Sequence, residues 1–247
     1  MARRATIIQQ ERGKAQHTLL LDAGDSLLSE KDPAKKTKGR TSIEAMNLMG
    51  YDAMTLGSLD LALTLSDLKQ RLAEADFAVL SANAYLSSTR ELVATPYLVL
   101  DVADHRVGIL GLTDLASTQD FVVADPLQTA RERVPELRRQ ADIVIVLSHA
   151  GVKVDKVIAE QVPGIDLIVS GGVTALETPY IAPLTGAVVV HAEAPHTGTA
   201  GTYIGIANLS FDKEGKLLKH EWRKMLLETV IVEDPAMLKW LQKVKAE

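Results

Sequence analysis

The sequence predicts an α/β fold in which helices pack on the faces of a sheet, in a single domain spanning residues 1–247. Three observations carry this. Apolar runs alternate with amphipathic segments through most of the chain, the βαβ rhythm that layers helices on strands. Residues 142–148 hold the unbroken run Ile-Val-Ile-Val-Leu, which fits a strand buried on both sides. After residue 170 the rhythm changes to consecutive strands, with Asp212-Lys-Glu-Gly215 as a turn between the last two. No repeat, linker or low-complexity stretch divides the chain.

Taken in order, residues 3–15 set Ala5, Ile7, Ile8 and Ala15 among charges and read as a helix. Residues 17–22 (His-Thr-Leu-Leu-Leu-Asp) read as a buried strand, followed by a sharp turn at Ala23-Gly24-Asp25-Ser26. A basic loop follows over 31–40, containing Pro33 and Gly39. A helix over 41–49 stops at Gly50, a residue suited to helix C-termini, and a strand over 51–56 stops at Gly57. Next come a helix over 66–75 with Asp67 in its first turn, a strand over 77–82, and a hairpin of 97–102 with 106–112. A helix over 126–140 starts on Pro126, a position that tolerates the missing N–H. The strand 142–148, a helix over 154–161 and a strand over 166–170 complete the alternating part. Strands over 187–192, 202–212 and 216–224 lead to a closing helix over 234–245, with Asp234 as N-cap and Pro235 behind it.

Composition narrows the function. The hydrophobic share is 47% and the charged share 24%, enough to bury a core and too apolar for a disordered chain. With 27 basic against 32 acidic residues the net charge is −5, and aromatics are only 4%, so a dedicated nucleic-acid binder is not expected. The absence of cysteine excludes disulfides, thiolate zinc sites and cysteine nucleophiles. No apolar run approaches the ~18 residues of a spanning helix, so no membrane partner is expected. The opening MARRATIIQQERGK carries charge without the apolar stretch of a signal peptide. The chain reads as cytoplasmic, or as exported if its start is truncated.

In open α/β sheets, ligands sit just beyond the C-terminal ends of strands. Four strand ends carry chemistry here: Asp22-Ala-Gly-Asp25, Gly57-Ser-Leu-Asp60, Ser148-His149-Ala-Gly151 and Ser170-Gly171-Gly172. Asp22, Asp60 and Asp114 could add oxygen ligands for a hard cation. Gly171-Gly172 could form an anion-binding backbone nest, although a plain turn explains the pair as well. The basic loop of Lys31, Lys35, Lys36, Lys38 and Arg40 reads as a solvated surface.

These segments, LLLDAGDSL, EAMNLMGYDAMTLGSLDLAL, FAVLSANAY, VGILGLTD, IVIVLSHAGV and DLIVSGG, occur in an order and spacing that resemble the metallophosphoesterase domain of 5′-nucleotidases, from about residue 3 to 212. The resemblance implies a four-layer α/β/β/α sandwich whose first strand has no counterpart here. It also implies two divalent ions that bind a phosphate ester and activate water.

Carried over residue by residue, Asp25 falls on the family's bridging aspartate and His149 on its Ser-His ligand. The Gly-Asn-His-Glu motif reads Gly57-Ser58-Leu59-Asp60, so Ser58 replaces a ligand and Leu59 replaces the histidine that stabilises the transition state. The Gly-His-x-His motif reads Gly171-Gly172-Val173-Thr174, with both histidines gone, and the Asp-x-His motif of the first strand is absent. Asp25 and His149 are therefore the residual metal residues, and no catalytic residue is assigned. His191, Glu193 and His196 (in HAEAPH) are a second cluster from which a rebuilt site could draw. No cofactor is expected, the alternative being one weakly bound divalent metal (Mn, Zn or Mg). The expected protein is a divergent 5′-nucleotidase-like chain, catalytically impaired, acting by binding or assembly. A homo-oligomer or a protein partner would cover the strand edge that the missing strand exposes. The alternative is an active metal-dependent phosphoesterase with a reduced or rebuilt site.

Overall fold

The computed structural model describes residues 1–28, 32–192 and 201–246. Helix α1 (Ala2–Arg12) leads through a loop to β1 (Leu21–Asp22), α2 (Arg40–Met49), β2 (Ala53–Thr55), α3 (Leu65–Glu74) and β3 (Ala78–Leu80). Two short strands, β4 (Ala84–Leu86) and, later, β7 (Phe121–Val123), flank the hairpin of β5 (Tyr97–Val102) and β6 (His105–Leu112). Then follow α4 (Pro126–Arg138), β8 (Ile143–Ser148), α5 (Val152–Gln161), β9 (Leu167–Ser170), β10 (Tyr180–Ile181) and β11 (Val188–His191). The long hairpin of β12 (Tyr203–Phe211) and β13 (Leu217–Leu226) and helix α6 (Pro235–Ala246) close the chain.

The strands form two principal sheets. One is parallel, in the order β1-β2-β3. The other runs β10-β11-β9-β8-β6-β5, parallel through its four central strands and antiparallel at both edges. Pairs β4–β7 and β12–β13 stand as separate antiparallel ribbons.

Three apolar clusters explain the layering. Ile43, Met46, Met54, Leu68 and Met237 lie between the three-stranded sheet and its helices. Leu110, Val134, Leu137, Val144, Val146 and Ile158 lie between the larger sheet and α4 and α5. Leu80, Ile109, Ile145, Leu147 and Val190 lie between the sheets. Strand β8 thus sends alternate residues into two different cores, which is why its sequence is apolar without a break. Helices on the outside and two sheets within make the four-layer α/β/β/α sandwich. The sheets approach closely at Gly111, where an added Cβ would lie 2.5 Å from the Leu80 Cβ.

Three helix starts are capped by side chains, that at Asp234 as its sequence predicts. Thr64 accepts from Asp67 N at 3.1 Å, Asp125 from Gln128 N at 2.7 Å, and Asp234 from Met237 N at 2.7 Å. The predicted strand over 17–22 pairs over Leu21–Asp22 alone, and β1 forms the edge of its sheet. Strands β4, β7 and β10 were not expected. Each has two or three residues, too few for a period, and β4 finds β7 far along the chain. Among the described residues, no helix is long and apolar enough to cross a membrane.

Candidate functional site

The parallel strands of both sheets end on one rim, so residues just beyond them meet across the gap between the sheets. Asp25, after β1, and His149, after β8, meet there: Asp25 Oδ2 lies 2.9 Å from His149 Nε2. The other ring nitrogen, Nδ1, donates to the Ala23 carbonyl at 2.6 Å. His149 is only 8% exposed. Burial alone would lower its pKa, but the hydrogen bond and charge of Asp25, with the Ala23 carbonyl, outweigh burial and raise it to about 9. At neutral pH the ring is therefore an imidazolium with both N–H groups engaged. The stability this pairing contributes is full below the unfolded value of 6.5 and is lost as pH rises through about 9.

Asp25 adopts a left-handed backbone, φ 58°, and its second oxygen accepts from Leu59 N at 2.8 Å. That conformation is held by Asp60. Asp60 Oδ2 accepts from Asp25 N and Gly57 N, at 3.0 and 2.9 Å, and Oδ1 from Leu27 N at 2.9 Å. Burial pushes the Asp60 carboxyl up to about 7 against the pull of the Gly57 amide. Of the other strand-end acids, Asp22 accepts from Gly24 N and the Ser26 hydroxyl, and Asp114 accepts from Ser58 N at 2.8 Å. Asp60 is wholly buried and serves loop amides, so it does not face a cation at the rim.

His191 ends β11, with Nε2 donating to the Gly172 carbonyl at 3.0 Å. Glu193 and His196 lie outside the described residues, as does Lys31. In the basic loop, Lys36 pairs with Asp32 at 3.4 Å, Lys38 with Asp67 at 2.9 Å and Arg40 with Glu44 at 3.7 Å. Leu59, whose N–H is bonded to Asp25, is 36% exposed and presents hydrocarbon to solvent, and Val173 is fully exposed.

A dimetal centre asks more of these donors than they hold. Asp25 and His149 bring one carboxylate oxygen and one nitrogen, and that nitrogen must first lose its proton. Among the described residues, no group of three or more His, Asp or Glu side chains is placed to hold a metal ion. Zinc sites take about three or four protein ligands, so the described donors do not fit a pair of ions.

Sequence reasoning passed over Asp155. It lies on the buried stripe of α5 with Val152, Ile158 and Ala159, and it accepts from the hydroxyls of Ser148, at 2.5 Å, and Ser170. An acid on an apolar helical stripe was the available signal. Gly171 is the other tight element: an added Cβ would stand 2.3 Å from the Ala23 carbonyl oxygen and 2.6 Å from His149 Nδ1. Gly171→Ala is therefore expected to cost about 1–3 kcal/mol in urea unfolding, as overpacking does. An unchanged midpoint would show that this wall yields freely.

The two sheets with helices outside, and an aspartate–histidine pair where their strand ends meet, define a metallophosphoesterase-type domain. No protein-family model matches the chain. Against individual proteins it is 31% identical to snake venom 5′-nucleotidase from Naja atra, over all of this chain and 51% of that protein. It is 31% identical to the 5′-nucleotidase of Bos taurus, over 95% of this chain and 45% of that protein. The structure of a 5′-nucleotidase precursor from Thermus thermophilus superposes with a TM-score of 0.85 at 28% identity, covering 99% of this chain and 53% of that one. The calcineurin-like phosphoesterase YfkN from Bacillus subtilis shares the fold, with a TM-score of 0.82 at 22% identity, over 100% of this chain and 88% of that one. The chain is a metallophosphoesterase domain of the 5′-nucleotidase family, and it spans about half the length of the curated relatives it matches.

Proposed function

We propose that this domain is a 5′-nucleotidase-like phosphoesterase unit with a depleted metal site, catalytically impaired and acting by binding or assembly. One observation carries the reading. Asp25 and His149 satisfy one another, and the neighbouring position in the nucleotidase motif is Leu59, whose side chain has no donor or acceptor. Hydrolysis of a phosphate ester by two ions needs ligands on both ions and a polar group for the developing charge. Among the described residues, no group of three or more His, Asp or Glu side chains around Asp25 and His149 is placed to hold a metal ion. Together these two can grip at most one divalent ion, weakly. Glu193 and His196, with His191, are the remaining source of donors for a rebuilt site.

The test is an assay on a chromogenic phosphate ester with added Mn²⁺ or Zn²⁺, with metal binding followed by calorimetry. The expected result is no turnover above the metal-only control and no more than one weakly bound ion. Turnover that disappears in His149→Ala would establish an active site and overturn the reading. Tight binding of two ions would do the same.

A further inference from the structure

We propose that Asp155 is the positioning residue of the candidate site: by clamping the ends of β8 and β9 through the Ser148 and Ser170 hydroxyls, it sets the slot that holds the His149 ring. Ser148 and Ser170 lie opposite one another across the β8–β9 ladder and are the last residues of their strands. The next residues are His149 and Gly171. The ladder aligns the strands but ends at these serines, where two neighbouring loops would otherwise be free to splay. Asp155 bridges that point. Its Oδ1 takes the Ser148 hydroxyl and its Oδ2 the Ser170 hydroxyl, with Asp155 and Ser148 wholly buried and Ser170 nearly so. The Ser148 hydroxyl oxygen in turn accepts from Ala150 N at 3.1 Å. Gly171 N donates to the Ser148 carbonyl at 2.7 Å. The two strand ends are thus tied twice, through the backbone by that bond and through their side chains by the carboxylate.

This clamp shapes the walls around the imidazole. On one side stands Gly171, where an added Cβ would lie 2.6 Å from Nδ1; on the other stand Gly24, at 2.9 Å by the same measure, and the Ala23 carbonyl that accepts the Nδ1 proton. Displacing the end of β9 moves the first wall and releases the ring from the second. The carboxylate of Asp155 is hydrogen-bonded to the two serines, so it acts on the ring through them. The role holds whether His149 meets an ion, a ligand or Asp25 alone.

The test is nuclear magnetic resonance of the full chain with ¹⁵N-labelled histidine. The His149 Nδ1–H, short-bonded to a carbonyl, is expected as a downfield, slowly exchanging signal that is missing from His149→Gln. Asp155→Ala is expected to lose that signal or shift it upfield. Asp155→Asn is expected to keep it, because an amide can bridge both hydroxyls. Loss of global stability alone leaves the resonance of the folded molecules in place. An unchanged signal in folded Asp155→Ala would overturn the proposal. If that variant does not fold, Ser148→Ala and Ser170→Ala decide: a shift in either supports the clamp, and unchanged signals in both overturn it.

Discussion

Asp60→Ala is expected to lower the stability of the folded chain by about 3–5 kcal/mol, read from urea unfolding. The methyl group leaves the amides of Asp25, Leu27 and Gly57 without their acceptor, and those of Leu27 and Gly57 are buried. An orphaned buried donor costs about 1–3 kcal/mol, and partial rescue by water at Asp25 keeps the sum below the full triple. Asp60→Asn should fall between the variant and the parent, since it keeps one carbonyl oxygen and turns an N–H₂ group on an amide donor. The damage should also be local. Asp25 owes its left-handed backbone to this carboxylate, so the Asp25–His149 pair should loosen even in molecules that remain folded. A loss under about 1 kcal/mol would mean that other acceptors take over the three amides.

The second large effect is on pH dependence. Burial pushes the Asp155 carboxyl from an unfolded value of 3.8 up to about 7, although the Ser148 and Ser170 hydroxyls pull it down. The folded chain thus binds a proton that the unfolded chain has released. Its contribution to stability is fully present below pH 3.8 and is lost as pH rises through about 7. On this account alone stability should fall across this window, by about 1.4 kcal/mol per pH unit at the steepest. Burial of Asp60 shifts its carboxyl in the same direction, so the parent should lose stability on both accounts. Asp155→Asn removes one of the two contributions and should flatten the slope between about pH 5 and 7 by about one proton. Unfolding curves at three pH values check it. An equal slope in parent and variant would mean that Asp155 is already ionised in the folded chain at about pH 5.

Much of the architecture was legible from local pattern. The unbroken apolar run ending at Ser148 announced a strand buried on both faces, and Gly50 and Asp234 marked helix ends through interactions within a turn or two. Helix α1 and the closing helix fall within a few residues of their expected bounds. The short strands β4, β7 and β10 escaped because a pairing of two or three residues is decided by the partner and leaves little period to read.

The candidate site divides in the same way. Asp25 and His149 were visible as strand-end residues, and the structure places them 2.9 Å apart. Asp60 was read as one more strand-end acid of the same kind. Its identity could not reveal that it turns inward to three amides, because those amides belong to two separate loops. Asp155 drew no notice for a related reason: its partners are 7 and 15 residues away and meet it only when α5 packs under the ends of β8 and β9.

The sequence by itself determined the alternation of strands and helices, the apolar cores and the side chains available at the strand ends, since each depends on residue type and short-range spacing. Only the tertiary structure decided which of those side chains face the rim and which are consumed as internal supports. Aspartates at strand ends are chemically alike as letters. Their roles separate when two sheets press together and each carboxylate must find donors in the loops that packing brings to it.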